Sequence, residues 1–154
     1  MTDARAERYA ARVAELGLTI EPREMDDSTH TAEQAAAALG CGVEAIVKSL
    51  LFLGDSGPVL VLASGPNRVD TALVAEVVGE PVSMADAKTV KTVTGSSIGG
   101  VPPVGHPEPI RTVMDETLLV LPEVWAAAAS QNSVFGIQPQ RLAEVTKATI
   151  ARVS

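Results

Sequence analysis

The segment Gly95-Ser-Ser-Ile-Gly-Gly-Val-Pro-Pro-Val-Gly-His106 packs four glycines and two prolines into twelve positions of a chain otherwise built from clean amphipathic stretches. Glycine loses more backbone freedom on ordering than any other residue, so this density implies backbone that approaches another group closely or adopts positive φ. The paired prolines act in the opposite sense. They fix φ and remove two N–H donors, stiffening the middle of the loop while the flanking glycine amides stay open to a ligand. Taken alone, the same composition also suits a long rigid connection between two strands.

Upstream, Ile46-Val-Lys-Ser-Leu-Leu-Phe-Leu53 is a strand-length apolar run with one lysine near its start. Strand alternation puts Ile46, Lys48, Leu50 and Phe52 on one face, setting an ammonium among large hydrophobes. Such a lysine either snorkels to solvent at a sheet edge or lines a pocket and meets an anionic or carbonyl oxygen. Between these two features, Val59-Leu-Val-Leu-Ala-Ser64 reads as a buried strand. It ends in a Gly65-Pro-Asn-Arg68 turn that leaves Asn67 and Arg68 at the strand's end, before a helix capped by Asp70.

The remaining chain alternates helices and strands without repeats. A first helix is expected from Asp3 to Leu16, with Tyr9, Val13 and Leu16 on one stripe and Gly17 as its stop. Thr31 caps a second helix, with Gln34 completing a capping box. Gly54-Asp-Ser-Gly57 reads as a hairpin turn. Asp70 and Asp86 open short helices closed by Gly79 and Gly95, strands follow at Ile110–Met114 and Val134–Ile137, and Pro139 suits the first turn of a last helix. Val124-Trp-Ala-Ala-Ala-Ala-Ser130 is ambiguous, because four successive alanines favour a helix by propensity.

A chain of 154 residues buries about 68 to 70% of its unfolded surface, enough for one core and too little for two, so residues 1–154 are expected to form a single domain. Aromatic residues make up only 3% of it, so the core must be Val, Leu, Ile and Ala. The charged N-terminal stretch does not read as a secretory signal, and no apolar run reaches the roughly 20 residues needed to cross a bilayer. A cytoplasmic protein without membrane contact is expected. Cys41 is the only cysteine, which excludes an intramolecular disulfide; between Gly40 and Gly42 it reads as a small, half-buried structural residue. His30 and His106 are the only histidines, with no second cysteine or carboxylate cluster at ligand spacing, so neither metal nor other cofactor is expected. A net charge of −7 argues against a protein that grips long runs of phosphates, DNA included.

In order and spacing, these pieces resemble the YbaK/aminoacyl-tRNA editing domain family. The matching elements are Thr31-Ala-Glu-Gln-Ala-Ala-Ala-Ala-Leu-Gly40, the lysine strand, Gly65-Pro-Asn-Arg-Val-Asp70, Met84-Ala followed by a helix ending Val93-Thr-Gly95, and Ile98-Gly-Gly-Val-Pro-Pro-Val-Gly105. The resemblance implies an α+β fold, a mixed, largely antiparallel, barrel-like sheet surrounded by short helices. It favours a strand for Val124–Ser130, normally followed by glycine. Here Ala129 stands at that glycine position, with Ser130 after it.

The activity implied is hydrolysis, in trans, of the ester joining a wrong amino acid to the terminal adenosine of a tRNA, with alanine or cysteine on proline tRNA as the expected substrate. A synthetase pocket discriminates by only about 1 to 3 kcal/mol per methylene, so a second hydrolytic site removes the errors. The ester is already activated, and a positioned water with stabilisation of the oxyanion suffices. No Ser-His-Asp or Cys-His constellation stands out.

On this reading Lys48, Gly100 and Gly105 serve catalysis: Lys48 binds the substrate carbonyl or the terminal ribose-phosphate, and amides around Gly99, Gly100 and Gly105 face the ester. Thr31, Ser49, Asn67, Arg68, Val101, Pro103, His106, Ala129 and Ser130 are expected around the substrate, the last two as the far wall of the amino-acid pocket. His106 reads either as a base or as exposed polar surface. The tRNA end would meet a local patch of Lys48, Arg68, Lys88, Lys91 and Arg111, with a partner synthetase supplying further affinity. A rival reading from another class is a non-catalytic module that holds an aminoacylated tRNA end, a nucleotide or a partner protein. A small-molecule hydrolase without tRNA suits the acidic surface but lacks a dedicated nucleophile.

Overall fold

Asp3 accepts a hydrogen bond from the Arg5 amide and opens helix α1, Ala4–Ala14, which buries Ala6, Tyr9 and Val13 on one stripe. The expected third member of that stripe, Leu16, is instead exposed, because the helix ends two residues earlier and the chain reverses at Gly17; Leu18 enters the core in its place. The computed structural model describes residues 3–25 and 31–154. His30 lies outside the described residues.

After a short strand β1, Arg23–Glu24, helix α2 spans Ala32–Leu39 with the Thr31–Gln34 capping box complete in both directions. Strands β2, Val47–Gly54, and β3, Gly57–Ser64, form a hairpin in which Gly54 faces Gly57 across the two-residue turn. Then follow α3, Thr71–Val78; β4, Val82–Met84; and α4, Ala87–Thr94. Asp70 and Asp86 cap the two helices, and Gly79 and Gly95 end them in the left-handed conformation. Beyond the glycine loop come β5, Arg111–Asp115; β6, Val124–Ser130; β7, Ser133–Ile137; α5, Pro139–Thr146; and β8, Thr149–Ala151.

The strands make two sheets. One has the order β4-β2-β3-β5-β8, antiparallel around β2 and parallel from β3 onward; the other, β1-β7-β6, is antiparallel throughout. The fold is therefore α+β, as expected. Among the described residues one isolated parallel bridge, Ile46 to Trp125, links the sheets, so the sheet does not close into a full barrel.

Packing explains the continuous apolar run of β3. Leu60 and Leu62 face a large cluster between the sheets that includes Tyr9, Phe135 and Leu142, whereas Val59 and Val61 face a smaller one with Phe52, Val74 and Val113. A strand covered on both faces has no need of polar alternation. β6 behaves differently: Val124, Ala126, Ala128 and Ser130 are buried and the residues between them are not. Pairing with β7 and the packing of α1 over its small alanines overrule the helical propensity of the run.

Candidate functional site

A cleft of about 550 Å³ opens beside β2. Strand β4 pairs with β2 at Phe52–Gly54, and among the described residues no neighbouring strand of that sheet covers the edge at residues 47–50. The N-terminal end of α2 closes one side of the opening, the loop at Ile98–Gly99 another, and Trp125, Ala127 and Val134 form the far wall. Most of the lining is apolar; Lys48, Ser49, Thr31 and Gln131 are the polar residues among it.

Lys48 is half-buried, and its Nζ donates to the backbone carbonyl of Asn67 at 2.7 Å. An ammonium carries three N–H donors, so two remain for a ligand or solvent. Burial pulls its pKa below the ordinary lysine value; the charges of Asp115 and Glu33 oppose that shift and Arg68 adds to it. Its strand neighbour Ser49 has a buried Oγ without a hydrogen-bond partner. Thr31 uses its Oγ1 to accept the Gln34 amide.

The turn that holds Lys48 is itself held by a carboxylate. Asp115, at the end of β5 and 1% exposed, accepts from the Ser64 amide at 3.1 Å, the Asn67 side-chain amide at 2.8 Å and the Thr117 amide at 3.0 Å. Asn67 thus acts through its backbone on Lys48 and through its side chain on Asp115. The Asp115 anchor is absent from the sequence reading. Its only local signal is the cap it makes on the 3₁₀ turn Glu116–Val120, and its tie to Asn67 spans 48 positions.

Of the residues expected from sequence, Thr31, Lys48, Ser49, Gly99 and Val101 line this cleft. Asn67 touches it through Lys48, and Arg68, exposed, acts on Lys48 through charge. The others lie elsewhere. Gly100 is buried, its amide donates to the Ser97 carbonyl at 2.9 Å, and a Cβ there would stand 2.9 Å from the backbone of Ser130. Gly105, at φ +83°, packs against Val13 and Tyr9 of α1. Pro103 is buried outside the cleft lining. The Gly100 amide is thus committed to loop closure, Gly105 is packed on α1, and neither glycine lines the Lys48 cleft.

His106 is neither a cleft residue nor exposed surface. Both ring nitrogens are buried without a hydrogen bond of good geometry, although the Pro103 carbonyl acts on the ring. Burial, with Arg12 as a second cause, lowers its pKa to about 4. Ala129 and Ser130 also leave the expected place. Ala129 has φ +62° at an irregularity in the β6–β7 pairing, which is why the position suits glycine. The Ser130 hydroxyl donates to the Asp3 carboxylate and accepts from the Asn132 amide, tying the start of α1 to the β6–β7 turn. Cys41 is half-buried, with its thiol pushed up by burial and by Glu44, the reverse of nucleophile activation. No three His, Cys, Asp or Glu side chains gather at metal-ligand distances among the described residues, and no helix among them is long and apolar enough to cross a membrane.

The glycine loop is the partition of this region. Ile98, Gly99 and Val101 face the Lys48 cleft, whereas Gly95, Ser96, Ser97 and Gly100 face a second cavity of about 400 Å³ beside α1. Gln131 borders both and donates to the Ile98 carbonyl at 2.7 Å. The Tyr9 hydroxyl fixes the far end of the loop through the Val104 carbonyl at 2.8 Å.

Comparison with known proteins places this architecture. A solved structure proposed to be a trans-editing enzyme for prolyl tRNA synthetase superposes with a TM-score of 0.96 at 39% identity, covering 100% of this chain and 99% of the other. The uncharacterized protein YwhH of Bacillus subtilis (strain 168) is 33% identical over 122 residues, 79% of this chain and 78% of the relative. The proline-tRNA ligase of Lactobacillus helveticus (strain DPC 4571) is 33% identical over 106 residues, which are 68% of this chain but only 19% of the ligase. A family model described as the aminoacyl-tRNA editing domain matches residues 26–145, and with that match over most of its length the chain belongs to the aminoacyl-tRNA editing domain family.

Proposed function

We propose that the chain is a deacylase that hydrolyses the ester of mischarged tRNA in trans, with alanyl or cysteinyl proline tRNA as its substrate. The observation that carries this reading is the Lys48 ammonium, partly desolvated and fixed by the Asn67 carbonyl beside a cleft that is otherwise mainly apolar. A positive charge in such a setting acts more strongly on a developing oxyanion than it would in water, and its position is set before the substrate arrives. The apolar wall at Trp125, Ala127 and Val134 suits a small side chain and excludes water from it. The prolyl context is drawn from relatives: proline-tRNA ligases and a solved structure proposed to edit for prolyl tRNA synthetase.

In this mechanism Lys48 directs one N–H to the carbonyl oxygen of the ester or to the terminal phosphate, while the Asn67 carbonyl keeps the side chain from swinging to solvent. Ser49 supplies a hydroxyl donor or acceptor inside the cleft. The water attacks the ester carbon, the oxyanion collapses, and the ribose oxygen leaves with a proton. No side chain of the cleft stands out as the base, so a hydroxyl of the tRNA itself is assigned to orient the water.

The test uses the purified chain and a panel of tRNAs carrying labelled alanine, cysteine, serine, threonine or proline. Alanyl or cysteinyl proline tRNA should lose label fastest and prolyl tRNA should persist. Lys48→Ala should slow the reaction by about 100-fold or more, with the melting temperature little changed. Full activity in folded Lys48→Ala protein would remove Lys48 from the chemistry. No deacylation of any substrate, with tRNA still bound, would make the chain a non-catalytic binding module.

A further inference from the structure

On a chain with net charge −7, the second cavity is built from cations. Arg5, Arg8 and Arg12 of α1 line it together with Lys91 of α4, and the rest of its lining is mostly small polar residues from the glycine loop and the β6–β7 turn. The spacing of the arginines, three and then four residues, puts them on one helix face over about 10 Å. All three are exposed, and among the described residues no carboxylate pairs with any of them; the one ion pair there is Arg141–Glu144, elsewhere on the molecule. Arg12 lies over the Tyr9 ring at 5.3 Å, and Lys91 donates to the Gly95 carbonyl at 3.1 Å, so two of the four cations are already oriented. Asp3, which caps α1, has its carboxylate engaged by Ser130, Ser133 and the Arg5 amide. The cations expected from sequence are distributed differently: Lys48 belongs to the cleft, Arg111 donates to the Val78 carbonyl, and only Lys91 is part of this group.

We infer that this groove binds the phosphate backbone of the RNA whose acylated end enters the Lys48 cleft. Exposed guanidinium groups without a carboxylate partner among the described residues, ranged along a helix, match a row of phosphates, and guanidinium recognises phosphate in a bidentate manner. The glycine loop that separates the groove from the cleft is thin enough for one strand to cross, because Gly99 lines the cleft and Gly100 the groove. RNA bound here lies close to α1, and the terminal nucleotide passes over Gly99 and Gln131. The groove gives an acidic protein a local field for an anionic partner and leaves the rest of its surface repulsive to nucleic acid. This inference rests on the reading of the cleft as a site for an acylated RNA end.

The experiment measures affinity, not hydrolysis, so it stands apart from the deacylase assay. An uncharged RNA hairpin with a single-stranded 3′ end is titrated with the chain across a range of salt concentrations. The triple variant Arg5→Gln, Arg8→Gln, Lys91→Gln should bind at least about tenfold more weakly at low salt, and the slope of log affinity against log salt should fall by about 2 to 3. Arg152→Gln, an exposed cation remote from the groove, should change neither. If the triple variant does not fold, the single variant Arg8→Gln carries the test, with a slope change of about 1. No binding by the wild type, or unchanged affinity and slope in the folded variants, would overturn the inference.

Discussion

Two residues hold conformations or charge states that the surrounding fold imposes on them, and each yields a stability prediction. Ala129 sits at φ +62°, where a side chain costs about 1 to 2 kcal/mol relative to the right-handed region. Ala129→Gly should therefore raise the melting temperature by about 2 to 4 °C, as expected for a gain near 1 kcal/mol in a chain of this size. A fall in melting temperature, the usual result of glycine in a strand, would contradict the strained conformation. His106 titrates at about 4 in the folded chain against an ordinary 6.5. The unfolded chain takes up its proton first, so the folded state loses stability as pH falls from 6.5 toward 4. His106→Leu removes that titration, and the loss of unfolding free energy between pH 7.5 and pH 5 should shrink by about 1 to 2 kcal/mol. Urea denaturation at the two pH values reads the difference, and equal pH dependence in both proteins would show that His106 takes up its proton equally in the folded and unfolded chains.

Among the elements, the β3–α3 turn and the glycine loop depend on partners distant in sequence. Asp115→Ala takes the acceptor from the Ser64 and Thr117 amides and leaves the Asn67 side chain only the Thr117 hydroxyl, which should cost about 3 kcal/mol and loosen Lys48 through Asn67. Thermal melting checks the first effect; unchanged stability would mean that water satisfies all three donors. Gly100→Ala should cost about 1 to 3 kcal/mol, because its Cβ would press on the backbone of Ser130 and Gln131. That loss should appear in the melting curve before any effect on substrate, since the position is committed to packing. These two sites mark how far the sequence was legible. Helix caps at Thr31, Asp70 and Asp86, the Gly54–Gly57 hairpin and the buried run of β3 are written in local chemistry, and all appear where expected. Lys48 was legible too, as an ammonium on an apolar strand. The roles of Gly100, Gly105, His106, Ser130 and Asp115 are set by contacts across 30 residues or more, with α1 or the β6–β7 turn on the other side for the first four and the β3–α3 turn for Asp115, and no local pattern encodes such a contact.

At the scale of the whole molecule, the two hydrophobic clusters lie on opposite faces of the same strands, and successive residues of β3 alternate between them. Neither cluster can lose its packing without uncovering a face of β2 and β3, the strands on which the Lys48 cleft is built. We therefore expect one cooperative unfolding transition, with residues 31–154 behaving as a single unit rather than as two sheets that melt separately. Trp125 is the only tryptophan in the chain and stands where Ile46 bridges the two sheets, so its fluorescence reports the junction, whereas far-ultraviolet circular dichroism reports all the helices and strands. The two signals should trace one urea curve. Leu62→Ala, which hollows the large cluster, should cost about 2 to 5 kcal/mol, and Val61→Ala, which hollows the small one, about 2 kcal/mol. In each variant both signals should move by the same amount, although Trp125 belongs to neither cluster. If Val61→Ala shifted the dichroism curve and left the fluorescence midpoint in place, the face that carries α3 would unfold on its own, and the β2 scaffold beneath Lys48 would open without disturbing the sheet that carries Trp125.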